Sequence, residues 1–170
     1  MRKRREARER AVQFLFQHDV SPAADLDPAL EVFWNNTRLN AAVEAAGPTW
    51  GEKVELGPPT AEDTATRLFA DKLVRGVLQH REVLDEVIRR HTKNWDLHRM
   101  AVVDRNILRL AIHEMLHRDD IPPVVSINEA VDIAKKFSTH ESGKFVNDIL
   151  DKVRAEILRP ARTAKDTPLP

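Results

Sequence analysis

Apolar residues recur along this chain at intervals of three and four, and that spacing restricts it to helices. Near the start the apolar positions are Ala7, Ala11, Phe14 and Leu15; later they are Val103, Ile107, Leu108, Ala111, Ile112 and Met115. A helix brings residues three and four apart onto one face, whereas a half-buried strand alternates with a period of two. No segment alternates in that way, so the expected fold class is all-α. A length of 170 residues gives room for one domain with a substantial core or for two small bundles.

Local signals divide the chain. A first helix is expected over about 3–18. Asp27-Pro28 reads as an N-cap followed by proline at the first helical position, opening a helix to about 46 that Gly47-Pro48 stops. The segment to Thr60, with Pro58-Pro59, reads as a loop. Helical spacing resumes near 61 and continues to about 91, with Gly76 and His80-Arg81 as places where it divides. Trp95 and Leu97 begin a connector into a helix over about 99–117. Ser126-Ile-Asn-Glu129 has the form of a capping box for the next helix. The last helix is expected over about 142–158, and the proline-containing tail 160–170 is expected to be disordered.

Several function classes are excluded or disfavoured. The chain has no cysteine, which removes disulfides, thiolate metal sites and a cysteine nucleophile, and fits a cytoplasmic protein. No apolar run is long enough for a membrane span, and the basic N-terminus lacks the apolar core of a secretory signal. There is no phosphate-cradling glycine loop, dinucleotide fingerprint or nucleophile elbow. His113-Glu-Met-Leu-His117 matches the H-E-x-x-H zinc motif, and Asn128-Glu129 resembles its downstream element. Against a zinc peptidase, both histidines are expected opposite the apolar stripe of their helix, as a solvated pair, and Glu129 is assigned to the cap. No metal, no cofactor and no catalytic residue are expected.

Charge is informative through its distribution. The formal net charge is zero, yet residues 1–10 hold six basic and two acidic side chains. A basic end on a neutral protein can dock an anion. The stretch KKFSTHESGKFVND breaks one helix at Ser138-Thr139-His140 and starts another, with Lys144 and Phe145 in its first turn. A cation holds phosphate, an aromatic ring stacks on a base, and helix-entrance amides favour an anion, which together suit single-stranded RNA. The alternative for Phe145 is a core position, since Val146 and Ile149 also pack.

Three segments resemble the NusB family of bacterial transcription antitermination factors. "RREARERAVQFLF" is similar to the family's arginine-rich first helix, and "DRNILRLAIHEML" to its central helix. "PPVVSINEAVDIAKKFSTHESGKFVNDILDKV" carries the most specific match. The resemblance implies an all-α fold of two packed helical bundles, with about six to seven helices. On that basis the bundles are assigned to 1–79, including a helix and loop at about 25–60 longer than in compact members, and to 80–159. It implies binding of the boxA element of nascent ribosomal RNA transcripts together with NusE, a small-subunit ribosomal protein, on RNA polymerase elongation complexes. It places RNA contacts at Arg4, Arg5, Arg8, Glu141, Ser142, Lys144 and Phe145, and contacts to the ribosomal partner at Phe16 and Asp104. A homodimer stays open. So does a related reading, the NusB-like RNA-binding module of ribosomal RNA cytosine methyltransferases.

Overall fold

A computed structural model of the protein describes residues 2–47, 51, 53–93 and 96–166. Among them are seven α-helices and no strand: α1 (Arg2–Val20), α2 (Leu26–Ala46), α3 (Ala61–Gln79), α4 (Arg81–Arg90), α5 (Val102–His117), α6 (Pro123–Phe137) and α7 (His140–Asp166). A short 3-10 turn, Leu97–Arg99, precedes α5. No helix among the described residues is long and apolar enough to cross a membrane. Trp50, Trp95 and the last four residues of the tail lie outside the described residues.

The chain divides into two compact units, Met1–Lys72 and Leu73–Pro170. In the first, α1 buries Ala7, Ala11, Val12, Phe14 and Leu15, the stripe expected from the sequence plus Val12. Phe14 meets Phe33 of α2 edge-to-face, with ring centroids 5.4 Å apart. The Trp34 indole N–H donates to Asp71 at 2.8 Å, giving a nearly buried ring the partner it needs. Asp71 also accepts from Arg67, whose guanidinium bonds Glu31 of α2 at 2.7 Å. The Arg38 side chain donates to the Gly57 carbonyl and ties the long loop back to α2. Thr60 and Asp63 form a reciprocal capping box at the start of α3, with bonds of 3.0 and 3.1 Å.

The second unit is built around α5, which packs on α4, α6 and α7. Asp104 and Asn106 through Met115 are all buried. Three of these are charged, and Arg109 and Glu114 find their partners within α4, α5 and α6. Arg109 donates to both oxygens of Asp85 on α4, at 2.6 and 3.1 Å, and to Asn106 at 3.1 Å. Glu114, fully buried, accepts from the Ser126 hydroxyl at 2.8 Å.

Some boundaries differ from the sequence reading. The N-cap of α2 is Asp25, so Asp27-Pro28 lies inside the first turn. The division near 80 falls at His80, while Gly76 sits within α3. The capping box at Ser126–Glu129 does not form. Pro123, with its φ already set for a helix, starts α6, and the Ser126 amide is already bonded to Pro122 oxygen. α7 continues to Asp166, past Pro160.

Candidate nucleic-acid interface

In the first unit the candidate residues lie on the basic edge of α1. Arg4 and Arg5 are exposed. Arg8 is only 4% exposed, and the Arg4 and Arg8 guanidinium carbons lie 5.1 and 5.4 Å from the centre of the Phe69 ring. Cation–π stacking thus uses Arg8 as part of the packing. Of the three arginines that the resemblance assigns to RNA, Arg4 and Arg5 are exposed and Arg8 is buried, because position 8 follows Ala7 and precedes Ala11 on the buried edge. Lys3 pairs with Glu62 at 3.2 Å, both well exposed.

Phe16 is 40% exposed. With Val20, Val32, Phe33 and Gln13 it lines an open groove between α1 and α2.

In the second unit the candidate residues lie at the corner between α6 and α7. Thr139 caps α7: its Oγ1 accepts from the Ser142 amide at 3.0 Å, and its carbonyl accepts from the Gly143 amide at 3.2 Å. Two of the entrance amides are therefore already satisfied, and the dipole contribution to anion binding expected there is smaller than the bare helix start implies. Gly143 permits the close approach of α6. A Cβ at that position would lie 2.8 Å from Cγ of Lys135. Lys144 is exposed, Phe145 half-buried and Val146 fully buried. The ring of Phe145 is thus neither a core residue nor fully presented. It lines a small cleft of about 200 Å³ with Arg99, Met100, Ala101, Asp104, Glu141 and Ser142. Glu141 stands exposed at its rim.

Ser142 and Asp104 belong to the inside of this corner. Ser142 is 9% exposed and Asp104 6%. The Ser142 hydroxyl donates to Asp104 Oδ2 at 3.1 Å, lies 2.8 Å from the Ser138 hydroxyl and accepts from Thr139 at 3.2 Å. Burial pushes the Asp104 carboxyl above its ordinary pKa, against the pull of the Ser142 and Ser138 hydroxyls. Asp104 stands in the first turn of α5 and is buried against α7, whereas Phe16 is exposed.

The expectation of a solvated histidine pair in the H-E-x-x-H segment holds for His117, which is exposed, and fails for His113. His113 is 7% exposed and fills the space that Gly76 leaves open. His80, His113 and His117 stack, with centroids 4.6 Å apart for His80–His117 and 4.7 Å for His113–His117. Burial, helped by the charges of His117, His80 and Arg118, lowers the His113 pKa to about 4. The 3.6-residue wheel assigned His113 outward because it assumed one buried face, and α5 is enclosed on nearly all of them. Among the described residues no group of three histidine or acidic side chains could hold a metal ion. Glu114, which the motif would use to position water, is committed to Ser126.

The sequence profile of the NusB family matches residues 5–155. The transcription antitermination protein NusB of Anaeromyxobacter dehalogenans is 45% identical over 160 residues, covering 94% of this chain and 95% of that protein. Most of the stretch 25–60 therefore has a counterpart in that relative. The structure of T. maritima NusB superposes with a TM-score of 0.68 at 34% identity, over 90% of this chain and 91% of that one. A complex of antitermination factors NusB and NusE with dsRNA contains a chain with a TM-score of 0.65 at 25% identity, over 90% and 96% of the two.

Proposed function

The chain belongs to the NusB family, and from that premise we propose that it is a non-enzymatic, RNA-binding transcription antitermination factor. It binds the boxA element of nascent ribosomal RNA transcripts together with a NusE-type ribosomal protein. The observation that carries the reading is the match over nearly the whole chain, joined to the likeness with a NusB chain solved with NusE and RNA. RNA polymerase elongation complexes in the cytoplasm are the setting in which such a factor acts.

The side chains support a division of labour. Arg4, Arg5 and Lys144 are exposed cations, suited to phosphates. Phe145 offers a half-covered ring face, suited to one base. Phe16 and its groove suit the protein partner. Arg8 supports the edge through its packing on Phe69.

Fluorescence anisotropy with a labelled boxA RNA and a scrambled control, each with and without the ribosomal protein, tests this. Preference for boxA that rises when the partner is added is expected. Equal binding to the scrambled strand, indifferent to the partner, would remove the proposal.

A further inference from the structure

We propose that a cleft in the first unit binds a small aromatic carboxylate, with its carboxylate held by Arg10 and Arg38 and its ring seated over Trp34. This site is independent of the RNA reading and shares no residue with it.

The cleft lies between α1, α2 and the start of α3, and its volume is about 530 Å³. Small-molecule sites span about 300–1,000 Å³. Glu31, Trp34, Arg38 and Ala41, at spacings of three, four and three, bring one face of α2 to the cleft. Trp34, Ala41, Pro59 and the arginine stems supply its apolar surface. Trp34 is held in place: its indole N–H donates to Asp71 at 2.8 Å, and Phe33 meets it edge-to-face with centroids 5.5 Å apart. At 7% exposure it forms a floor already ordered before a ligand arrives.

Seven charged side chains line the cleft, and most already have charged or capping partners. Arg67 bonds Glu31 at 2.7 Å and Asp71 at 3.3 Å. Glu62 pairs with Lys3 at 3.2 Å, and Asp63 accepts from the Thr60 amide in the α3 cap. Arg10 and Arg38 differ. Arg10 Nη1 donates to the Gln13 side-chain oxygen at 3.0 Å, and Arg38 donates to the Gly57 carbonyl. Both acceptors are neutral, so among the described residues neither guanidinium is paired with a carboxylate. Arg10 Nε is also buried without a hydrogen-bond partner. A donor on a cation left in that state is costly, and a carboxylate in the cleft satisfies it after a small turn of the side chain. Arg10 lines this cleft and also the groove that holds Phe16, so space for the turn exists.

The ligand class follows from these groups. A guanidinium binds a carboxylate through two parallel N–H···O bonds. The exposed Glu6 and the paired carboxylates around the cleft repel a polyanion, so a single negative charge fits and a nucleic-acid strand does not. The apolar floor suits a flat ring system.

Titration of the full chain with naphthoate, followed by NMR of the tryptophan indole and arginine Nε–H signals and by calorimetry, tests the site. A saturable shift of the Trp34 and Arg10 signals is expected, with a dissociation constant below about 1 mM. Naphthamide, the same ring without the charge, should bind at least about tenfold more weakly. Naphthoate should lose about tenfold or more on Arg10→Gln and on Arg38→Gln, each lacking one charge-assisted contact. Arg38→Lys keeps the charge without the fork and should fall between Arg38→Gln and the parent. Lys144→Gln should match the parent. Absence of a saturable shift at millimolar naphthoate overturns the inference, as does equal affinity for naphthamide or parental affinity in either folded glutamine variant. A loss of the same size in Lys144→Gln puts the anion at another site and overturns it too. If Arg10→Gln does not fold, the half-buried Arg38 decides alone through Arg38→Gln.

Discussion

Phe145 shows what one side chain contributes when it is only half covered. Stacking on a base is worth about 1–3 kcal/mol in single-strand sites and involves no counterion release. Phe145→Ala should therefore weaken RNA binding by up to about a hundredfold while leaving the salt slope of the binding constant in place, and Phe145→Tyr should retain most of the affinity. Arg4→Ala or Lys144→Ala should do the opposite, reducing both affinity and slope. Titrations at several salt concentrations separate the two patterns. Helical spacing put Lys144 and Phe145 in the first turn of a helix, whereas α7 starts earlier, at His140, and they fall in its second turn. What spacing could not reveal was depth. His113 is a polar residue that a helical wheel sends outward, yet it is buried against Gly76 of α3, and the partners of Arg8 and Asp104, which are Phe69 and Ser142, are equally remote in sequence. No local pattern encodes those partners.

Between elements, the contacts of α5 decide stability. Asp85 and Arg109 are 8% and 3% exposed, and removing one partner leaves the other charge buried. Asp85→Ala is expected to cost about 3–5 kcal/mol in urea unfolding. Replacing both by apolar residues should cost much less. At Gly76 two effects compete. Alanine gains up to about 1 kcal/mol of helix propensity, but its Cβ would lie 2.2 Å from His113 Nε2. The ring is buried, so overpacking of about 1–3 kcal/mol is expected to win and the melting temperature should fall. Shortening the ring in the same chain, with His113→Ala, should restore part of the loss. The same histidine sets a pH dependence. Its pKa is about 4 when folded and near 6.5 when unfolded, so the unfolded chain takes up the proton first. Stability is complete above about pH 6.5 and declines as pH falls toward 4, by at most about 3 kcal/mol. Urea midpoints for the parent and His113→Gln at pH 7 and 4.5 check the sign: the parent should lose more. Glu114 and Arg118 lie beside the stack, and the difference between the two proteins isolates the imidazole from them. Helix identity was legible here, since periodicity survives even where boundaries slip. Caps were less so: Thr60–Asp63 and Ser126–Glu129 look alike as strings, and only Pro123 distinguishes them by starting its helix early.

For the molecule as a whole, zero net charge hides a basic first ten residues and an acidic remainder. Association with RNA should thus be local and salt-sensitive, with no general affinity for polyanions. Protein recognition is expected to be separable from it. Phe16→Asp should weaken the ribosomal partner by about tenfold or more, as loss of an exposed aromatic anchor does, while RNA affinity of the protein alone is unchanged. Calorimetry with the partner and anisotropy with RNA check the two halves. The enclosure of α5 bears on time as well as energy. Its backbone amides lie beneath α4, α6 and α7, so no fraying or loop opening exposes them to solvent. Deuterium should replace their protons only when the second unit comes apart entirely, making their exchange the slowest in the protein and a direct gauge of that unit's unfolding free energy.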